Sequence, residues 1–111
     1  LGFSGTDCEA IIDLGKEEKI GEIKAHILQQ TGSWIYKPAD MIISVSTDGK
    51  IFSPVTCANP SITNKQAWCE FLQPATARYV KVLLKNFGTI PDGNPGAGNK
   101  AWLFVDEIEI N

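Results

Sequence analysis

The 111-residue sequence lacks several features that mark well-known functional classes. It has no run of 18 or more apolar residues, so no segment is expected to span a bilayer as a helix. It also has no excess of positive charge, because ten Lys and Arg against 13 Asp and Glu give a net charge of −3. Neither a nucleic acid nor an anionic membrane is therefore expected as a partner.

Groups for acid–base or nucleophilic chemistry are also scarce. The single histidine, His26, has no Ser, Cys or carboxylate partner that the sequence reveals. The acid pairs Glu17-Glu18 and Asp106-Glu107 are adjacent in sequence, and adjacent side chains of a strand point to opposite faces. This is poor geometry for a two-carboxylate glycosidase, so the sequence predicts a chain that is not an enzyme.

Three cysteines, Cys8, Cys57 and Cys69, are an odd number, so they cannot all be paired and do not form a disulfide framework. Their spacing matches no zinc-binding pattern. We expect buried structural thiols. The alternative is a bridge between Cys57 and Cys69, which would pin together the two ends of the loop between them.

The hydrophobic pattern is that of β-strands throughout, and no window shows a sustained helical period. Short alternating segments recur at intervals with turn signals between them, as in a sandwich or barrel. Strands are predicted at Glu9–Leu14, where Gly15 ends the strand, and at Ile20–Gln29, Met41–Val45, Ala67–Leu72, Arg78–Lys85 and Ala101–Ile110. A turn is predicted at Asp48-Gly49, and the chain restarts at Ile51-Phe52.

A long loop from Asn86 to Lys100 separates the last two strands. It contains four glycines, two prolines and three asparagines, which is more turn chemistry than a hairpin needs. Loops of this length in compact domains are often functional, so we expect the sheet to be a scaffold and this loop its working end.

Several segments together resemble the discoidin family. These are the coagulation-factor C-type domains, which in bacteria are called family 32 carbohydrate-binding modules. The strongest likeness is to the accessory domain of bacterial hexosaminidases and chitobiase-like enzymes. The segments are Ile11-Ile-Asp-Leu-Gly15, Val45-Ser-Thr-Asp-Gly-Lys50, Asn86-Phe-Gly88, Pro95-Gly-Ala-Gly98 and Ala101-Trp-Leu-Phe-Val-Asp-Glu-Ile108.

The resemblance implies an all-β, galactose-binding-domain-like jelly-roll sandwich. Residues 1–111 would form one discoidin-like domain that lacks its N-terminal strand segment. The implied function is that of a non-catalytic, sugar-binding accessory module of a secreted, periplasmic or cell-surface glycoside hydrolase. Its partners would be a glycan or terminal sugar and the catalytic domain of the parent chain. Alternatives are a protein- or cell-surface adhesion module and a structural spacer that docks on a catalytic domain.

Asp106-Glu107 interrupts an apolar strand, and a carboxylate near a core needs a cation or hydrogen bonds. One interpretation is a bulge that exposes both acids. The resemblance implies another, in which Glu107 of Glu107-Ile-Glu-Ile110 ligates a structural calcium whose remaining ligands lie upstream. One carboxylate alone does not make a calcium site, because calcium takes six to eight oxygens.

Two loops carry the mixture of aromatic and amide groups that holds sugars. The loop Gln29–Pro38 contains Trp34 and Tyr36, and Trp102 directly follows the long loop. We expect one of these rings to stack on a pyranose. The alternative is that Trp34 and Trp102 are plugs at the ends of the sandwich. The residues expected to bind the sugar hydroxyls are Gln30, Asn94, Asn99 and Lys100.

Overall fold

The computed structural model describes residues 2–58, 60–63, 65–94 and 96–111. Within these ranges the chain is almost entirely β-structure, and no helix is long and apolar enough to cross a membrane. The strands are β1 (Gly2–Ser4), β2 (Cys8–Leu28), β3 (Asp40–Ser46), β4 (Ser53–Pro54), β5 (Ser61–Ile62), β6 (Gln66–Lys85) and β7 (Trp102–Ile110), and Thr31–Ser33 form a 3-10 turn.

The strands form one antiparallel array in the order β1-β7-β2-β6-β3-β4, with β5 paired to β6. Strand β2 has 21 residues and would extend about 70 Å if straight. The longest dimension of the molecule is only 46 Å, so β2 and its long partner β6 must bend. Their two halves therefore contribute to two layers that face one another.

A single hydrophobic cluster fills the space between the layers. Ile23 and Ala25 from the C-terminal half of β2 and Val82 from the C-terminal half of β6 belong to it, each fully buried. Ile43 of β3 and Leu103 of β7 complete its centre. The all-β prediction is confirmed, and one shared core makes the two layers a sandwich.

The predicted alternation of faces in the second half of β2 is confirmed, whereas the strand end predicted at Gly15 is wrong. Ile23, Ala25 and Ile27 point inward, while Leu28 is 45% exposed. Gly15 does not end a strand, because β2 continues through it with a shift of register between Asp13 and Glu18. Gly15 has φ +84°, a left-handed conformation that glycine adopts without strain.

This bend in β2 is tied to β6 by an ion pair. The guanidinium of Arg78 donates to both carboxylate oxygens of Asp13, at 2.8 and 3.0 Å. The backbone N–H of Gly15 also donates to Asp13, at 2.8 Å. These bonds lower the pKa of Asp13 to about 2, so the carboxylate is ionised over the whole physiological range.

The predicted segments Ala67–Leu72 and Arg78–Lys85 are likewise one strand, β6. The Asp48-Gly49 turn lies, as predicted, between antiparallel strands, and the Oγ of Ser46 accepts hydrogen bonds from the N–H groups of Asp48 and Gly49. Strand β4 begins at Ser53 and not at Ile51, which is 76% exposed.

The acid pair of β7 lies at a bulge. His26 is opposite Glu107 and Ile27 is opposite Val105, so Asp106 is the extra residue. Asp106 and Glu107 are both exposed. The apolar run is interrupted because the strand turns two successive side chains outward.

Cys57 and Cys69 form a disulfide, with Cα atoms 5.2 Å apart, and Cys8 is a buried free thiol. Our expectation of three structural thiols is therefore wrong for two of them. Residues 57 and 71 form an isolated antiparallel bridge, which brings the segment that carries Cys57 alongside β6. The sequence separation is 12 residues, so the bridge closes a small loop that includes β5.

Replacing both Cys57 and Cys69 by Ser should lower the free energy of unfolding by about 3 kcal/mol, because the open loop regains chain entropy in the unfolded state. Urea unfolding of the variant and the wild type measures this difference. A reductant should destabilise the wild type by the same amount and leave the double variant unchanged. Alkylation of more than one thiol in the denatured, unreduced wild type would contradict the bridge.

Candidate functional site

The loops Gln29–Pro38 and Asn86–Trp102 meet at one end of the sandwich. The backbone N–H of Trp102 donates to the carbonyl of Trp34 at 2.8 Å, and the N–H of Tyr36 donates to the carbonyl of Trp102 at 3.0 Å. Residues 35 and 102 thus form a parallel bridge, where the first loop runs beside the start of β7. The sequence predicted each loop, and the structure places them side by side. We call this surface the loop end.

Asn86 ties the long loop to its surroundings. Its amide nitrogen donates to the carbonyls of Thr6 and Ala101, both at 3.1 Å, and its amide oxygen accepts from the N–H of Gly88 at 2.8 Å. Its backbone N–H donates to the carboxylate of Asp7 at 2.8 Å. The loop is therefore anchored at its first residue both on the N-terminal segment and on Ala101, which directly precedes β7.

The long loop is folded back on itself as a small irregular hairpin. Thr89 and Lys100 form an antiparallel bridge, and the N–H of Ile90 donates to the carbonyl of Asn99 at 2.8 Å. The N–H of Gly98 donates to the carbonyl of Ile90 at 3.0 Å. An ordered hairpin of this kind can hold side chains in fixed positions.

Tyr36 is a packing residue of this end and is not placed as a platform for a sugar. It is only 7% exposed and forms a second small core with Ile90 and Ala101. Its ring packs on that of Phe87, with centroids 4.8 Å apart and planes tilted by 32°. The expectation that Tyr36 can stack on a ligand is at odds with this burial.

Trp34 and Trp102 are placed differently, since each is 37% exposed. Trp102 projects from the first position of β7, and its ring centroid is 6.0 Å from that of Phe104. Trp34 follows the 3-10 turn, and its indole lies against Gly96 of the long loop. Both rings thus present surface to solvent at the loop end, although whether they hold a sugar remains a prediction.

The four predicted polar partners are exposed, but three of them also brace the long loop. The amide of Asn99 donates to the carbonyl of Gly96 at 3.1 Å, and that of Asn94 donates to the carbonyl of Pro91 at 3.4 Å. The ammonium of Lys100 donates to the hydroxyl of Thr89 at 3.1 Å. Gln30 precedes the 3-10 turn without capping it by its side chain.

Two further aromatic residues were missed from sequence. Phe87 is 38% exposed beside Tyr36, and the Asn86-Phe-Gly88 run was the signal that could have found it. Trp68 lies on the outer face of β6, between the fully buried Ala67 and Cys69. The alternation of β6 could have revealed it. Trp68 lines a hollow of about 440 Å³ with Lys19, Gly21, Glu22, Glu70, Pro74 and Asn111.

The outer face of β2 and β7 carries a histidine–carboxylate contact that the sequence did not reveal. The Nε2 atom of His26 lies 2.5 Å from a carboxylate oxygen of Glu109. This hydrogen bond, helped by the charges of Glu109, Glu107 and Asp106, raises the pKa of His26 above its ordinary value. The same bond lowers the pKa of Glu109.

Glu107, the predicted calcium ligand, lies on this same face, opposite His26. In the part of the chain that the structure describes, no three Asp, Glu, His or Cys side chains cluster as metal ligands would. These residues alone therefore do not supply the six to eight oxygens that calcium needs. Calcium binding through Glu107 remains a prediction.

The fold is similar to that of solved modules designated CBM32. CBM32-6 of Clostridium perfringens is 18% identical, with a TM-score of 0.63 over 99% of this chain and 75% of that chain. CBM32-5 of the same bacterium, solved in complex with GalNAc-β-1,3-galactose, is 18% identical, with a TM-score of 0.57 over 92% of this chain and 63% of that chain. The CBM32 of AlyQ, solved in complex with 4,5-unsaturated mannuronic acid, is 19% identical, with a TM-score of 0.60 over 99% of this chain and 74% of that chain.

These likenesses confirm the predicted all-β sandwich fold. At such low identity they show the fold alone, and the chain spans between 63% and 75% of the length of these three modules. No protein-family model and no curated protein sequence matches the chain.

The burial of Tyr36 leads to a prediction about stability. Its hydroxyl has no hydrogen-bond partner within the described ranges, and such a buried group costs about 1–3 kcal/mol. Tyr36→Phe should therefore leave the free energy of unfolding unchanged or raise it, whereas Tyr36→Ala should lower it by about 3–5 kcal/mol. Denaturant unfolding measures both. A loss of more than about 1 kcal/mol in Tyr36→Phe would show that the hydroxyl is satisfied.

A further prediction concerns the pH dependence of stability. The stability that the raised pKa of His26 contributes is fully present below pH 6.5, the ordinary pKa of histidine. It is lost as the pH rises through the pKa of His26 in the folded protein. The stability that the lowered pKa of Glu109 contributes is present above pH 4.5, the ordinary pKa of glutamate. It is lost as the pH falls through the pKa of Glu109 in the folded protein. The pair should therefore stabilise most between these two values.

His26→Gln should lower the melting temperature more at about pH 5.5 than at about pH 8.5, because only the protonated imidazole makes the ion pair. Thermal unfolding of both proteins at both pH values measures the difference. Glu18→Gln, which removes an exposed acid elsewhere on β2, serves as the control. An equal loss at the two pH values would show that the contact is not ionic.

Proposed function

We propose that this chain is a non-catalytic sugar-binding accessory module, and that it binds its sugar at the loop end. The observation that carries the proposal is the joining of the two aromatic loops. Backbone hydrogen bonds hold residues 34–36 beside Trp102, and Trp34 and Trp102 each remain 37% exposed. Ordered, half-exposed indoles suit the C–H face of a pyranose.

The polar surroundings support the same ligand class. Lys100, Asn94, Asn99 and Gln30 are exposed and offer both donors and acceptors for hydroxyl groups. Three of these side chains already bond to the loop, which restricts their motion and lowers the entropy lost on binding. The similar modules solved with GalNAc-β-1,3-galactose and with unsaturated mannuronic acid add support for a sugar ligand.

The parent protein would be a secreted, periplasmic or cell-surface glycoside hydrolase of the hexosaminidase or chitobiase-like kind. The sequence resemblance described above supports this parent. The module would hold the catalytic domain near its polymeric substrate, since a tethered sugar site raises the local concentration of a linked enzyme.

A docking function is the second candidate, and exposed apolar residues favour it. Ile11 on β2 and Ile42 on β3 are 56% and 40% exposed on the outer face of their layer. Leu83 of β6 is directly opposite Ile42 and is a diagonal neighbour of Ile11, because its own partner on β2 is Glu9. The catalytic domain of the parent protein would pack on this stripe.

The sugar proposal predicts weak and tryptophan-dependent binding. On a glycan array and in titrations with GalNAc-β-1,3-galactose and mannuronate, we expect a Kd on the order of 0.1–10 mM for a single ring. Trp34→Ala and Trp102→Ala should each cost about 1–3 kcal/mol of binding free energy, because the stacked surface is lost. Calorimetric titration measures binding, and circular dichroism checks that each variant is folded.

Trp68→Ala is the matched control, because it removes an indole from the outer face of β6 and not from the loop end. It should leave the affinity unchanged. If Trp34→Ala and Trp102→Ala both unfold the chain, those rings are plugs. If both fold and bind the wild-type ligand equally well, the site lies elsewhere, and loss of binding in Trp68→Ala would place it at the Trp68 hollow. A folded wild type that binds none of the sugars would favour docking.

A further inference from the structure

Trp34 occupies an unusual backbone conformation for its size. It has φ 64° and ψ 19°, and within the described ranges it is the one non-glycine residue with positive φ. Left-handed backbone is disfavoured for bulky side chains and is tolerated mainly by Gly, Asn and Asp. A strained backbone conformation of this kind persists only where contacts with the surrounding structure fix it, and such residues are frequent at ligand-binding sites.

Backbone hydrogen bonds fix the main chain of Trp34. Its N–H donates to the carbonyl of Thr31 at 3.0 Å, and its carbonyl accepts from the N–H of Trp102 at 2.8 Å. The neighbouring Ile35 exchanges two backbone hydrogen bonds with Gln30, at 2.8 and 3.0 Å. The backbone of Trp34 is therefore fixed on both sides.

The position of the indole depends on the long loop. A Cβ atom added at Gly96 would lie 2.4 Å from both Cε2 and Nε1 of Trp34, and 2.7 Å from its Cδ1. The pyrrole part of the indole therefore occupies the space that any side chain at residue 96 would need. Gly96 itself has φ +78°, and its carbonyl accepts a hydrogen bond from the side chain of Asn99 at 3.1 Å.

We infer that Gly96 is the positioning residue for Trp34. Because Gly96 has no side chain, the indole fits into the space beside it, which we call the seat, and this contact holds the exposed indole in position for a ligand. This inference rests on the proposed function for its ligand, although the seat itself does not depend on it. The function of the long loop would then be to position Gly96, because Asn99 and the hairpin hydrogen bonds of Ile90 hold Gly96 in place. Gly96 would thus control affinity without contacting the sugar.

The chain contains a matched control for this inference. Gly98 has φ +86°, close to the value at Gly96, so an alanine pays a similar backbone penalty at either position. Nothing lies within 4 Å of a Cβ added at Gly98. Gly96→Ala and Gly98→Ala therefore differ mainly in the collision with Trp34.

The experiment compares these two variants in the wild-type and in the Trp34→Ala background. Indole N–H signals, assigned by Trp34→Phe, report the position of the ring without any ligand. Urea unfolding gives the energetic coupling between residues 34 and 96, and between residues 34 and 98. Titration with GalNAc-β-1,3-galactose and with mannuronate reports binding.

Gly96→Ala should shift the Trp34 indole signal and couple to residue 34, and it should weaken sugar binding about tenfold or more. Gly98→Ala should leave the signal in place, show no coupling and change affinity less than about threefold. A shifted signal and coupling in a protein that binds neither sugar would uphold the seat and overturn the proposed function. Equal effects of both alanines, with the Trp34 signal unmoved, would overturn the inference.

Discussion

The antiparallel pairing of β2 with β6 is the constraint on which the other features depend. It runs in two stretches, from Cys8–Asp13 opposite Leu84–Tyr79 to Glu18–His26 opposite Ala77–Gln66. The first stretch borders β3 and the second borders β7, so the same two strands are common to both layers. Because residues of both stretches bury side chains in one cluster, neither layer has a core of its own. Loss of this pairing would remove the interior and the frame that brings the loops together.

The loop end is built by different interactions from the sheet. The small core of Tyr36, Ile90 and Ala101 is separate from the main cluster. Backbone hydrogen bonds between the two loops and side-chain hydrogen bonds of Asn86 hold the remainder of this end together. Tyr36 supplies the buried aromatic packing of this end, so the two half-exposed indoles of Trp34 and Trp102 remain available to contact a ligand. A stable scaffold with a separately held surface loop is a common arrangement for binding sites.

Much of the fold could be predicted, because strand alternation is a local property of the sequence. The side chains of Val80, Val82 and Leu84 point inward, as their spacing indicates. The long Gly- and Pro-rich loop lies where its turn-forming residues predicted it. Gly15 misled the prediction because glycine marks a strand end and a bulge equally well. Tyr36 misled it because a tyrosine in a polar loop can face solvent or pack inward, and the packing partners Ile90 and Phe87 belong to another loop.

The sequence by itself determined the class of fold, the faces of the strands and the two loops that carry the candidate site. Each of these follows from periodicity and turn residues within a few positions of one another. Only the tertiary structure decided which distant groups meet. Cys57 joins Cys69, His26 meets Glu109 at a separation of 83 residues, and Trp34 is seated on Gly96. Such contacts depend on the register and bending of strands that are far apart in the chain. A slip of one residue would reverse every face, and no local pattern encodes the choice of partner.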